Sequence, residues 1–75
     1  MELRFLGKET EGGNSPTLFD TEEIMYGKEV YVVQGWKITD QETLARLNIP
    51  DHEAVVAVPK KLMQHLPKED RGASD

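Results

Sequence analysis

The apolar positions at the start of the chain alternate with polar ones, as they do in a half-buried β-strand. In residues 2–6, Leu3 and Phe5 fall on one face, which predicts a first strand. Residues 16–20 predict a second short strand that begins at a proline, where a missing backbone donor is tolerated. Between the two, residues 7–15 hold glycines and polar residues without an apolar anchor, so this segment is predicted to be a mobile loop.

The longest predicted strand covers residues 29–38, in which β-branched and aromatic side chains predominate. Gly35 lies inside this segment and indicates a bulge or a place where another element crosses closely. Aromatic residues of a central strand usually belong to the core, so Tyr31 and Trp36 are expected to be buried. An exposed ring at either position would instead indicate a protein-binding surface.

The second half of the chain alternates helix and strand signals. Thr39 and Glu42 have the spacing of a capping box, and Asn48 can adopt the left-handed conformation that ends a helix. The apolar run over residues 54–58 predicts an inner strand that is buried on both sides. Pro59 suits the first position of a second helix.

These elements follow one another in the order β-β-β-α-β-α. They predict a small α+β domain with a mixed β-sheet of about four strands and two short helices packed on one face. The link between the third and fourth strands is long enough for a right-handed crossover, which would make these strands parallel neighbours. We assign residues 1–67 to this single domain and expect residues 68–75, which are charged and small, to form a disordered tail.

Composition and charge narrow the function further. The chain has no cysteine, which excludes disulfides and thiolate zinc sites. Its net charge of -5 argues against a free-standing nucleic-acid binder, because such proteins neutralise phosphates with Lys and Arg. No apolar stretch approaches the roughly 20 residues of a membrane-spanning helix, so we expect a soluble, cytoplasmic protein without a membrane partner.

The residues that could carry catalysis or hold a metal are few and scattered. His52 lies in a polar loop between two acidic residues, and the position of His65 near the end of the last helix is explained by the helix dipole. Ser15 lies in the glycine-rich segment and Ser74 in the tail, away from any base on a rigid scaffold. We therefore predict that the protein is not an enzyme and has no cofactor and no metal site.

The residues predicted to contact a partner are aromatic or acidic. The acidic ones come from the first 26 residues, which contain six acidic and two basic residues. A basic partner would be attracted to them. The predicted set is Trp36, Tyr31, Glu9, Glu11, Glu22 and Glu23.

Four segments resemble a group of small uncharacterised proteins of actinobacteria, and together they cover most of the chain. They are residues 5–8, 15–18, 32–40 and 49–59. Members of this group look like companions of helix-turn-helix regulators. The resemblance implies a bacterial accessory protein whose partner is another protein, with a helix-turn-helix regulator as the candidate, and it transfers no catalytic or binding motif.

A second, local resemblance gives the alternative interpretation. Residues 44–51 and 58–62 are similar to pieces of the AbrB-type antitoxins, which bind DNA as dimers, although the order of the pieces differs. The leading interpretation is a non-catalytic accessory or interaction protein; the alternative is a small dimeric DNA-binding antitoxin or transcriptional regulator, and a homodimer is compatible with both. A shared face for the basic residues would favour DNA binding. These residues are Lys37, Arg46, Lys60 and Lys61.

Overall fold

The structure is a computed structural model that describes residues 1–71. Its first sheet is antiparallel with the strand order β1-β2-β3, and its second sheet consists of β4 and β5 alone. The strands are β1 (Arg4–Lys8), β2 (Thr17–Met25), β3 (Lys28–Gln34), β4 (Trp36–Lys37) and β5 (Val56–Ala57). The helices are α1 (Gln41–Leu47) and two 3-10 helices, Lys60–His65 and Lys68–Asp70. The broad α+β class is thus as predicted, whereas the strand and helix counts differ.

The second strand is longer than predicted. The predicted second strand ends at residue 20, but β2 continues to Met25 and the turn is confined to Tyr26 and Gly27. The pairing of β2 with β3 is irregular between Asp20 and Ile24. This irregularity explains the error, because a strand with extra residues loses the strict alternation by which strands are recognised.

The predicted strand over residues 29–38 is divided at Gly35. A Cβ atom at this position would lie 2.6 Å from the backbone oxygen of Ala57, so only glycine allows the two backbones to approach this closely. The close crossing indicated by Gly35 in the sequence is therefore confirmed. Beyond it, β4 pairs with β5 instead of extending the first sheet.

The prediction of a parallel, fully buried strand over residues 54–58 is wrong. Only Val56–Ala57 pairs, and it pairs antiparallel to Trp36–Lys37. Val56 is 43% exposed. The chain leaves the first sheet at Gly35, so this apolar run meets a two-residue strand and not β3, and it lies at the surface.

The first helix begins and ends near the predicted residues, but none of its residues is buried, so the prediction that it packs on the sheet is wrong. The N-cap is Asp40 and not Thr39: the Asp40 carboxylate accepts a hydrogen bond from the Thr43 backbone N–H at 2.9 Å. Hydrogen bonds from the Thr43 hydroxyl and N–H lower the pKa of Asp40. Asn48 ends the helix in the left-handed conformation with φ of 57°, as predicted.

The second predicted helix is a 3-10 helix. The prediction of two short helices packed on the sheet is therefore corrected to one α-helix and one 3-10 helix at residues 60–65. Lys60–His65 lies between Pro59 and Pro67, which leave seven residues, or about two turns of helix, between them. 3-10 helices are confined to short segments. The helix packs against β1 and β2.

The core is small. Leu18 in β2 and Leu62 in the Lys60–His65 helix are the buried large apolar residues of the described chain. Gly7 in β1 is also buried, and a Cβ atom there would lie 2.0 Å from Cγ of His65. The absence of a side chain at Gly7 thus permits the helix to approach the strand. Within residues 1–71, no helix has the length and apolar character needed to cross a membrane.

The segment predicted as a disordered tail is described only in part. Lys68–Asp70 forms the second 3-10 helix, and Asp70 accepts a hydrogen bond from the Tyr31 hydroxyl. The sequence pattern gave no sign of this contact, because it depends on where the end of the chain meets β3. Residues 72–75 lie outside the described residues.

Leu62 is buried and Val56 is half-exposed, so truncation of these two side chains should affect stability differently. We expect Leu62→Ala to destabilise the protein by about 2–5 kcal/mol, because it removes a fully buried side chain. We expect Val56→Ala to cost less than about 1 kcal/mol, because half-exposed side chains contribute little. Urea unfolding of both variants gives the comparison, and a larger loss in Val56→Ala would place the core at β5.

The approach of His65 to Gly7 provides a second stability test. Gly7→Ala should cost about 1–3 kcal/mol, because His65 must move to make room for a methyl group. The same substitution in a His65→Ala background should cost much less. Urea unfolding of the two single variants and the double variant measures the coupling, and equal costs in both backgrounds would show that the clash is absent.

Candidate functional site

A groove of about 380 Å³ lies where the β1–β2 connection faces β4 and the start of the Lys60–His65 helix. This volume falls within the range of small binding sites, about 300–1,000 Å³. Its walls combine an aromatic ring with carboxylates, an amide and a lysine. They include Glu9, Glu11, Asn14, Pro16, Trp36 and Lys61.

The groove begins at a tight turn in the β1–β2 connection. Gly12 and Gly13 both have positive φ, 57° and 85°, as the central pair of a two-residue hairpin turn requires. The turn is closed by the Asn14 N–H, which donates to the Glu11 carbonyl at 3.0 Å. The segment predicted as a mobile loop therefore contains a hairpin turn, and adjacent glycines are a signal that could have revealed it.

Trp36 is oriented by this turn. Its indole Nε1 donates a hydrogen bond to Oδ1 of Asn14 at 3.0 Å. The ring is nevertheless 43% exposed, so the prediction that Trp36 belongs to the core is wrong. With its polar edge bonded and part of its surface in solvent, the ring is available to a ligand without losing the Asn14 contact.

Glu9 is held by two basic side chains of the Lys60–His65 helix. Its Oε2 lies 2.8 Å from Nε2 of His65, and its Oε1 lies 4.0 Å from Nζ of Lys61. The sequence explained His65 through the helix dipole and gave no sign of this pair, because the two residues are 56 positions apart. Glu9 thus connects the end of β1 to the helix, with Lys61 as a cationic neighbour of its carboxylate.

Glu11 differs from Glu9 in its surroundings. It lies in the same groove, but its carboxylate takes part in no ion pair among residues 1–71. Trp36 and Glu11 therefore provide an exposed aromatic surface and an unmatched negative charge in one groove. Such a combination can bind a planar or compact cation.

The structure places the remaining predicted partner-binding residues elsewhere. Tyr31 lines a separate depression with Asp70 and the ion-paired Arg4 and Asp20. Glu22 lines a shallow depression beside Arg4. Glu23 is exposed on β2 and lines neither the groove nor these depressions. The structure therefore brings Trp36, Glu9 and Glu11 together and separates the other three.

The described part of the chain offers little for catalysis or metal binding. No group of three His, Asp or Glu side chains is placed there to hold a metal ion. His52 lies 5.7 Å from Tyr26, measured between ring centres, at the end of the β2–β3 hairpin. It does not line the groove, and its Nε2 lies 3.9 Å from Oε2 of Glu53.

No family model, no curated protein and no solved structure matches this chain. The resemblances to actinobacterial accessory proteins and to AbrB-type antitoxins therefore stay predictions.

The Tyr31–Asp70 contact can be tested by titration. The hydrogen bond to Asp70, together with burial and the negative charges of Asp70 and Asp20, raises the pKa of Tyr31 from 10.0 to about 12. Since the folded pKa is raised, the stability from this contact is present below about pH 10 and is lost as the pH rises through 12.

Tyr26→Phe leaves Tyr31 as the single tyrosine, so ultraviolet absorbance of the tyrosinate reports its ionisation alone. We expect an apparent pKa of about 12, and a shift back toward 10.0 when Asp70→Asn is added. A pKa that does not respond to Asp70→Asn would mean that the hydrogen bond does not form in solution.

Proposed function

We propose that this chain is a non-catalytic accessory protein that binds a basic segment of another protein in the Trp36 groove. The observation that carries the proposal is the exposed Trp36 ring, fixed by Asn14 in the same groove as Glu11, which takes part in no ion pair among residues 1–71. Exposed tryptophans in pockets are frequent anchors of protein interfaces. The partner's contribution is a cationic side chain that covers the ring.

Arginine fits this groove better than lysine. A guanidinium group can stack on Trp36 and direct its N–H groups at the Glu11 carboxylate at the same time, because it is planar and carries five donors. Stacking of a cation on an aromatic ring contributes about 0.5–2 kcal/mol, depending on desolvation. The charge-assisted hydrogen bond to Glu11 adds to this.

The overall charge supports the same class of partner. A net charge of -5 attracts a basic protein over a Debye length of about 10 Å at 0.1 M salt and speeds its association. Helix-turn-helix regulators, the partners implied by the sequence resemblance, present basic surfaces of this kind. We place the interaction in the bacterial cytoplasm, where such regulators act.

The DNA-binding alternative receives less support from the basic residues. Two of the four that could form a patch lie near carboxylates: Lys61 is 4.0 Å from Glu9, and Arg46 is 3.9 Å from Glu42. Matched charges contribute less to the release of counterions from DNA. Protein binding is therefore the better-supported function.

A defined cationic probe tests the proposal. Trp36 is the single tryptophan, so its fluorescence reports on the groove. We expect hexa-arginine to change the emission saturably, and a hexa-citrulline peptide, which lacks the charge, to have little effect. Glu11→Gln should weaken binding severalfold, and added salt should weaken it further, because the contact is electrostatic.

Glu23→Gln is the matched control, since it removes the same charge outside the groove. Equal losses in Glu11→Gln and Glu23→Gln would reduce the effect to net charge and reject the groove. A shift of duplex DNA by the wild-type protein at physiological salt would support the alternative function instead.

A further inference from the structure

The groove around Trp36 is not uniformly acidic, because a lysine lines it as well. Lys61, in the first turn of the Lys60–His65 helix, shares the groove with Trp36 and Glu11. A site that bound only cations would be weakened by this lysine, since an ammonium group repels a guanidinium group. Lys61 therefore either stabilises the fold or binds a negative group of the ligand.

The contribution of Lys61 to the fold is small. Its side chain is 74% exposed, and its Nζ lies 4.0 Å from Oε1 of Glu9. This distance exceeds the length of a hydrogen bond, so Glu9 uses none of the three N–H donors of the ammonium group. Ion pairs as exposed as this one add little to stability. The other carboxylate oxygen of Glu9 has a closer neighbour, Nε2 of His65 at 2.8 Å. The donors of Lys61 are therefore available to a ligand.

The size of the groove limits how far apart the charges of a ligand can lie. Its volume of about 380 Å³ is near the lower end of small binding sites, about 300–1,000 Å³. The groove therefore holds one or two residues of a partner and not a long segment. Within that length, Glu11 attracts a positive group and Lys61 attracts a negative one. A ligand that satisfies both carries its two charges on the same residue or on adjacent residues.

We propose that the groove binds an arginine residue that has a carboxylate close to it, and that Lys61 is the residue that recognises this carboxylate. The inference rests on the proposed function, in which the guanidinium group stacks on Trp36 and donates to Glu11. Lys61 donates to the carboxylate, so each charge of the ligand meets the opposite charge of the groove. Two sources supply this chemistry: the C-terminal arginine of a protein, and an internal arginine followed by an acidic residue.

Two pairs of peptides test the inference, with the fluorescence of Trp36 as the readout. The first pair is acetyl-Gly-Gly-Arg with a free C-terminal carboxylate and the same peptide with a C-terminal amide. The second pair is acetyl-Gly-Arg-Asp-Gly-amide and its Asn counterpart. The net charge of -5 by itself would favour the member of each pair that lacks the carboxylate. We expect the opposite order in at least one pair, with the carboxylate peptide bound about two- to fivefold more tightly, as for an exposed ion pair.

Substitution of Lys61 should reverse this order. In Lys61→Gln the peptide without the carboxylate should bind more tightly, whereas Lys61→Arg should keep the wild-type order because the positive charge remains. Lys60→Gln is the matched control, since it removes the same charge from the neighbouring exposed residue, which does not line the groove. It should also keep the wild-type order. A preference for the carboxylate that survives Lys61→Gln, or that is lost equally in Lys60→Gln, would reject Lys61 as the recognising residue.

The two peptide pairs also distinguish the source of the carboxylate. A preference in the first pair alone assigns a C-terminal arginine, and a preference in the second pair assigns an internal arginine with an acidic neighbour. Binding of all four peptides without a preference for the carboxylate in either pair would overturn the inference and leave the proposed function standing. If no arginine peptide binds, hexa-arginine included, the proposed function and the inference are both rejected.

Discussion

The packing of the Lys60–His65 helix against the β1–β2 hairpin is the contact on which the remaining structure depends. It buries Leu62 of the helix, and Leu18 is buried in the strand that the helix contacts. The approach is close because Gly7 has no side chain. The same approach brings His65 to Glu9 and places Lys61 in the wall of the groove. The candidate groove is therefore formed by the contact that stabilises the fold.

The sequence predicts those features of the fold that depend on local stereochemistry. Asn48 ends the helix, and Gly35 marks a close crossing, because each residue type is favoured by the local backbone geometry or by the space available. The parallel crossover fails because it depends on which strand residues 54–58 meet. An apolar run of five residues fits an inner strand and a surface ribbon equally well. The exit of the chain at Gly35 decides between them.

Less of the candidate groove than of the fold is predictable from the sequence. The composition directs attention to Trp36 and Glu11, which both line the groove, but it cannot separate Glu11 from Glu9. The two acids lie two positions apart, yet only Glu9 meets the Lys60–His65 helix, which comes from the other end of the chain. The orientation of Trp36 is equally non-local, because its indole N–H donates a hydrogen bond to Asn14, 22 positions away.

Because the core of this chain is small, the binding of a ligand has a large effect on the stability of the folded state. A ligand that binds only the folded state stabilises it by mass action, and the effect is largest relative to the total in a domain with little core.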